Sequence, residues 1–307
     1  MLLRALVASG FTLCLATVSC SSTVESVPSP HTTLRMSANT SRDLQGAFSR
    51  LDDLDVEIVT EGGSSVTGLQ NLQQGRIDVA MAMADVAYLA YAGQLDSASP
   101  PFGHLRGMAV VSLNTLHLII ARGVNVTSIR DLKGMRVALG PAGSATALIA
   151  ELLLEAYGLT VNEVSSKRLP YVDTAEMLAR GELDAAFMTQ IPPSQAATTA
   201  ANAGARLIDI DGPVIEALRT RYPYLKRTLI PQVTYPNQHK PVRTIGVDLL
   251  LLCRSDVDDE VVYRLLDAYF ATRSGTRPPT DLEHAPATPI PLHPGAARYY
   301  RQRELSR

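Results

Sequence analysis

Apolar residues along this chain fall into short runs, rich in β-branched side chains, that alternate with segments of helical spacing. The runs at 33–36, 55–59, 77–81, 107–112, 116–121, 136–139, 183–188, 206–210 and 244–253 have the length and composition of strands. Between them, the stretches 42–51, 66–74, 84–92, 145–157, 174–180 and 257–272 repeat apolar positions every three or four residues and are predicted helices. The alternation predicts the α/β class.

The pattern also repeats at a larger scale. Leu72-Gln-Gln-Gly75-Arg-Ile-Asp78-Val-Ala-Met81 is echoed by Leu178-Ala-Arg-Gly181-Glu-Leu-Asp184-Ala-Ala-Phe187, 106 residues later. Each piece reads as a helix ended by a glycine, then a strand with an aspartate at its mouth. Upstream of each lies a strand, a glycine-rich turn and a hydroxyl residue opening a helix: Val56 to Val66 around Gly62-Gly63-Ser64-Ser65, and Val137 to Thr146 around Gly140-Pro-Ala-Gly143-Ser144. Two similar lobes follow from the double match. A helix start of this kind presents unpaired amides and the positive end of the peptide dipoles, so it favours an anion. Ser65 and Ser144 serve equally well as plain helix caps. Two such turns in a two-lobed chain point to a small anion held between them, because ligands of open α/β sheets lie beyond the carboxyl ends of the strands.

The amino terminus adds a location. Met1-Leu-Leu-Arg4 precedes an uncharged, mostly apolar run to Ser19, too short for a mature membrane span and shaped like an export signal. Its end, Ala16-Thr-Val-Ser-Cys20, resembles the lipobox of bacterial lipoproteins, with Cys20 as the lipidated residue. Residues 1–19 are thus expected to be a signal peptide and 20–32, rich in Ser, Thr and Pro, a lipidated tether. Of three cysteines this leaves Cys253 in the folded part, as a buried strand thiol. With 28 Lys and Arg against 30 Asp and Glu in 307 residues, a nucleic-acid partner is excluded as a first reading. There is no GxGxxG, no GK[ST] and no GxSxG, and the six histidines have no metal-site spacing, so neither cofactor nor metal is expected. His117, in an apolar strand, and His293, beside a proline, read as structural or surface residues.

Several pieces together resemble the TAXI solute receptors of TRAP transporters. They include Gly63-Ser-Ser65-Val66, Asp85-Val-Ala-Tyr88-Leu-Ala-Tyr91, Ser128-Ile-Arg-Asp-Leu-Lys-Gly134, Ala142-Gly-Ser144, Thr234-Tyr-Pro236 and Pro289-Ile-Pro-Leu-His-Pro-Gly295-Ala-Ala-Arg-Tyr299-Tyr300, in the family's order. The resemblance implies a two-lobed type II periplasmic-binding-protein fold with a hinge of two crossover segments, 114–117 and 243–248. Lobe I would comprise 33–112 and 247–307, and lobe II 113–246. It further implies a non-enzymatic, membrane-anchored receptor that captures a small carboxylate, an amino acid or dicarboxylate-like ligand, and passes it to a TRAP-type permease. The departures lie in lobe I. The loop Met36-Ser-Ala-Asn39-Thr40-Ser41-Arg42 lacks the family's glycine and tyrosine, Gly68 replaces an asparagine, and Met83-Ala84 replace polar residues before Asp85. The ligand is therefore expected to be smaller, more apolar or more weakly bound than is usual for the family. An alternative keeps the fold without transport, as an orphan lipoprotein acting as a sensor or protein-interaction module. The residues expected at the ligand are Asn39, Thr40, Ser65, Asp85, Tyr88, Gly143, Ser144, Thr146, Gln190 and Tyr235; Arg42 reads as a solvated arginine of a first helical turn before it reads as a carboxylate fork.

Overall fold

Each of the two repeated cassettes closes on an arginine that the repeat does not contain. Strand β1 (Thr32–Ser37) carries Arg35, whose amide and Nε donate to Asp78 Oδ2 at 2.9 and 3.0 Å while Nη2 donates to Oδ1 at 2.6 Å. In the later copy β5 (Arg136–Ala138) supplies Arg136, which grips Asp184 at 2.8, 3.1 and 2.6 Å through the same three atoms. In both, the aspartate amide returns a 2.8 Å bond to the arginine carbonyl. Gly75 and Gly181, at φ 72° and 71°, end the preceding helix in the left-handed conformation that lets the chain turn back toward the clasp. The echo in the sequence is thus one supersecondary unit built twice.

The computed structural model describes residues 32–38, 40–60, 63–96, 100–272 and 282–305. Met1–Pro30 and His31–Arg307 form separate units, and the fold described is that of the second. The expected signal segment, the tether up to residue 31, Cys20 and Asn39 lie outside the described residues.

The fold runs from β1 through α1 (Arg42–Phe48), β2 (Leu54–Val59), α2 (Ser65–Gln73), β3 (Val79–Met83) and α3 (Ala84–Tyr91) into the long strand β4 (Leu105–Ile120). After β5 come α4 (Ala145–Ala156), β6 (Ser165–Lys167), α5 (Tyr171–Ala179), β7 (Ala185–Gln190), α6 (Gln195–Asn202), β8 (Arg206–Leu207), α7 (Pro213–Arg221) and β9 (Lys226–Ile230). A second long strand, β10 (Val242–Arg254), leads to α8 (Asp259–Ala271) and α9 (Pro294–Leu305). One sheet holds the strands in the order β2-β1-β3-β10-β4-β7-β5-β6, with β8 against β4 and β9 against β10. Its two ends are parallel, while β4 and β10 run antiparallel through the middle.

The two strands expected at 107–112 and 116–121 are one. The polar step Leu113-Asn-Thr115 interrupts the apolar run, but its backbone stays paired to Asp248, Val247 and Gly246. At Gly246 a side chain would put its Cβ 2.9 Å from the Asn114 carbonyl oxygen, so glycine alone fits where the central strands cross between the two ends. Two register shifts between Leu249 and Leu252 bend the pair.

Both structural histidines are buried. His117 Nδ1 donates to the Thr115 carbonyl at 2.9 Å and its Nε2 accepts the Tyr235 hydroxyl at 2.8 Å, an arrangement that fixes the neutral tautomer. Burial pulls its pKa down to about 4. His293 Nδ1 accepts the Gly295 amide at the start of α9, and the Tyr300 hydroxyl of that helix donates to the Met108 carbonyl at 2.9 Å. Gly295 itself packs so closely on the Asp259 backbone that a Cβ has no room. The C-terminal motif therefore locks α8 and α9 onto β4. Cys253 is a free, fully buried thiol on β10, and burial pushes its pKa up. No helix among the described residues is long and apolar enough to cross a membrane.

Replacing Asp78 or Asp184 by alanine strips each clasp of its acceptor and is expected to cost about 2 kcal/mol per site. The check is a lower urea midpoint at unchanged slope; losses near zero at both sites would reduce the clasps to solvent-screened surface pairs.

Candidate functional site

Helices α2 and α4 begin in the same way. Ser64 and Ser144 precede them with extended backbones, at ψ 157° and 155°, and each hydroxyl accepts the amide three residues on, Thr67 or Ala147, at 3.2 Å. The cap of the first turn is thus Ser64, where the sequence pointed to Ser65. Ser65 is the first helical residue, and its hydroxyl accepts the Met83 amide at 3.4 Å, tying α2 to the end of β3. Capping serves the third amide of each helix. The first two, of Ser65 and Val66 and of Ala145 and Thr146, have no partner within their helices.

The two starts face each other. Gly143 has φ 66°, and a Cβ on it would stand 3.2 Å from the Ser64 hydroxyl, so the bare glycine lets the turns approach to near contact. Between them opens a cavity of ≈ 470 Å³, a size typical of small-molecule sites. Ser64, Ser65, Ser144 and the start of α4 form its polar end. Met81, Met83 and Leu249 form an apolar floor. A third wall is a hydroxyl network: the Thr146 hydroxyl lies 2.5 Å from that of Tyr171, which is 3.4 Å from both the amide and the carbonyl of Thr189. Thr189 lines the same cavity, while its hydroxyl is buried and has no hydrogen-bond partner. Among the described residues no Lys, Arg, His, Asp or Glu lines the cavity, and no group of three or more His, Cys, Asp or Glu is placed to hold a metal.

The structure brings Ser65, Ser144 and Thr146 to this cavity, with Gly143 at the closest approach of the two turns. The other expected residues that are described lie elsewhere. Thr40 is buried beside α1, its carbonyl accepting Gln45 Nε2 at 2.8 Å. Tyr88 packs on Tyr224, with ring centroids 5.4 Å apart. Tyr235 is buried in a hydrogen-bonded pair with His117 and also accepts the Ser194 amide at 2.9 Å. Gln190 ends β7 with its Oε1 buried and unpartnered, one residue past the cavity lining. Arg42 is exposed at the start of α1 and does not reach the cavity. Met81, Leu249 and Tyr171 were not singled out in the sequence as site residues; Tyr171 stands at the first position of α5, whereas Met81 and Leu249 lie inside β3 and β10, where an apolar residue carries no signal of a cavity.

Asp85 is a separate case. It opens α3 at 1 % exposure, and neither carboxyl oxygen has a hydrogen-bond partner. Burial pushes its pKa up to about 7, and the nearby amides of Val86 and Asp85 itself offset this only in part. A second, larger cavity of ≈ 570 Å³ lies between β8 and the 236–241 loop, but none of the expected residues lines it.

The raised pKa of Asp85 has a definite sign in stability. Between the ordinary carboxyl value, ~4, and about 7, the folded protein holds a proton that the unfolded chain releases, so this contribution is lost as pH rises through that window. Asp85→Asn is expected to remove it. The melting temperature of the variant, taken relative to the parent, should climb from pH 5 to pH 7.5; parallel profiles would show that Asp85 is not the titrating group.

The chain matches the model of the NMT1-like family over residues 49–303. Among solved structures it is similar to XAC2383 from Xanthomonas citri bound to ATP, with a TM-score of 0.53 and 13% identity, covering 88% of this chain and 94% of that one. PhnD1 from Prochlorococcus marinus in complex with methylphosphonate gives 0.50 at 11% identity, with coverages of 79% and 85%. The periplasmic aliphatic sulphonate binding protein SsuA from Escherichia coli gives 0.49 at 17%, with 89% and 79%. At these identities the likeness concerns the fold, which is the two-lobed α/β fold of the type II periplasmic binding proteins.

Proposed function

The chain belongs to the NMT1-like family, and from that premise we propose that it captures a small carboxylate between its two lobes and delivers it to a TRAP-type membrane permease. In this reading it acts as a solute-binding protein and not as an enzyme, which its membership of the NMT1-like family supports. The observation that carries the reading is the opposed pair of helix starts at Ser64 and Ser144, brought together at Gly143 over a cavity with no charged lining among the described residues. An anion there is held by amides, hydroxyls and two helix dipoles, without a counter-ion. Lobe I would be 33–112 with 247–307, lobe II 113–246. The hinge would be the two stretches where β4 and β10 pass between them, 114–117 and 243–248, with Gly246 at their closest approach. In this reading the protein is exported and anchored through a lipid on Cys20, close enough to a permease for direct transfer.

The mature protein is expected to melt at higher temperature with some member of a panel of small carboxylates, by about 2.7 kcal/mol of added stability at a hundredfold excess over Kd. Ser65→Asp places a negative charge at the polar end of the cavity while remaining favourable to the start of α2. The variant is expected to fold as the parent does and to lose at least tenfold in affinity. A panel without a single shift would leave the orphan sensor as the better reading; an unimpaired Ser65→Asp variant would move the ligand to another site.

A further inference from the structure

Asp85 does not line the cavity, yet it sits where two lobes would have to part. It opens α3, in the stretch that would be lobe I, and Tyr88, three residues on, shares its helix face. The Tyr88 ring packs on Tyr224, with centroids 5.4 Å apart, and Tyr224 packs on Tyr222 at 5.6 Å. Tyr224 and Tyr171, the first residue of α5, belong to the stretch that would be lobe II, and both lie close enough to feel a charge on Asp85. The carboxyl group is thus enclosed in a seam of tyrosines drawn from both sides. The residue is 1 % exposed, and neither oxygen reaches solvent or a hydrogen-bond partner.

The charged groups of the surrounding elements are engaged elsewhere. Helix α2 and strand β3 carry no ionisable side chain. Strand β10 brings Asp248, held by Lys226 Nζ at 2.5 Å. Arg221 lies over the Tyr222 ring, 5.2 Å from its centre, and acts on Tyr224 rather than on Asp85. An ionised carboxylate in this seam would give up its water and gain no counter-charge, so the neutral acid is the form that fits there. Once the seam parts, water reaches the group and the ordinary carboxyl value returns, ~4.

We propose that Asp85 is a proton-operated latch between the lobes: as the neutral acid it keeps α3 seated against Tyr171 and Tyr224, and its proton is released when they separate. The proposal rests on the two-lobed capture reading above and adds a regulation by pH. Below about pH 4 seated and parted forms both hold the proton, and pH has no effect. Between there and about 7, the value to which burial raises Asp85, only the seated form holds it. Across that window each unit of rising pH favours parting by up to about tenfold. Acid therefore holds the lobes together, and neutral conditions let them open.

Amide hydrogen exchange of the ligand-free mature protein from pH 5 to pH 8, corrected for the intrinsic rate at each pH, reads local opening apart from global unfolding. Peptides covering 84–92 and 221–226 are expected to exchange faster than the interiors of β4 and β10 at every pH. Their opening should increase together, by about tenfold or more over the range. In Asp85→Asn, and in Asp85→Ser should the amide not fold, the response to pH is expected to vanish. Seam peptides that exchange no faster than the central strands, that ignore pH in the parent, or that keep their response in the variants overturn the latch. A response confined to 84–92 is fraying of α3 alone and overturns it too. The measurement needs no ligand. A seam that responds as expected while no carboxylate of the panel raises the melting temperature removes the capture reading and leaves the latch; a bound carboxylate with a seam indifferent to pH removes the latch alone.

Discussion

Two helix starts held nearly in contact, with neither filling the other, are the constraint on which the site depends. A helix cannot satisfy its own first amides, and in most folds a side chain or water does so. Here the serines cap the third amide and stop there, while Gly143 offers no side chain that would reach across to Ser64. The first amides are left facing a shared space. Among the described residues the protein obtains an anion-favouring surface with no arginine or lysine in it, and so avoids burying a cation that would need its own partner whenever the site is empty.

The rest of the structure keeps this geometry in register. Each helix start belongs to a unit clasped by an arginine and an aspartate, Arg35 with Asp78 and Arg136 with Asp184, but at a different place in it. Helix α2 follows β2 and is the counterpart of α5, 106 residues on, while α4 follows β5 and is the counterpart of α1, so the second matched turn of the sequence is not part of the repeat. The central antiparallel pair joins those units across one sheet. Met83 links the two levels, because its amide fixes Ser65 at the polar end while its side chain forms part of the floor. A change at that residue therefore alters both the position of α2 and the chemistry of the cavity.

Much of this was legible in the sequence, and the failures have physical reasons. The internal echo gave the twin units, because glycines at the left-handed helix ends and aspartates at the strand mouths are local requirements with few alternatives. The arginines of the clasps escaped notice because they lie on neighbouring strands, 43 and 48 residues away, with no local signature. The cap shifted from Ser65 to Ser64 because adjacent serines are interchangeable in composition and only the backbone distinguishes them. Tyr235 and Tyr88 stand in motifs of the resembling family, but their rings serve packing and a histidine tautomer. Strand β9 and helix α6 were unreadable as elements: Lys-Arg-Thr-Leu-Ile lacks a clean alternation, and Gln-Ala-Ala-Thr-Thr-Ala-Ala-Asn has too little apolar contrast to show a face. Helix α9 hides behind Pro294-Gly295, which reads as a turn, although proline is well suited to the first position of a helix.

The strand order carries a consequence for how such a chain comes to be folded. β10, formed by residues 242–254, sits between β3 at 79–83 and β4 at 105–120. Until it arrives, both earlier strands present open ladders of amides and carbonyls, the template on which chains pair with one another. The last long strand to emerge is thus the keystone of the sheet, and the first hundred residues must stay apart from their copies until it is laid in.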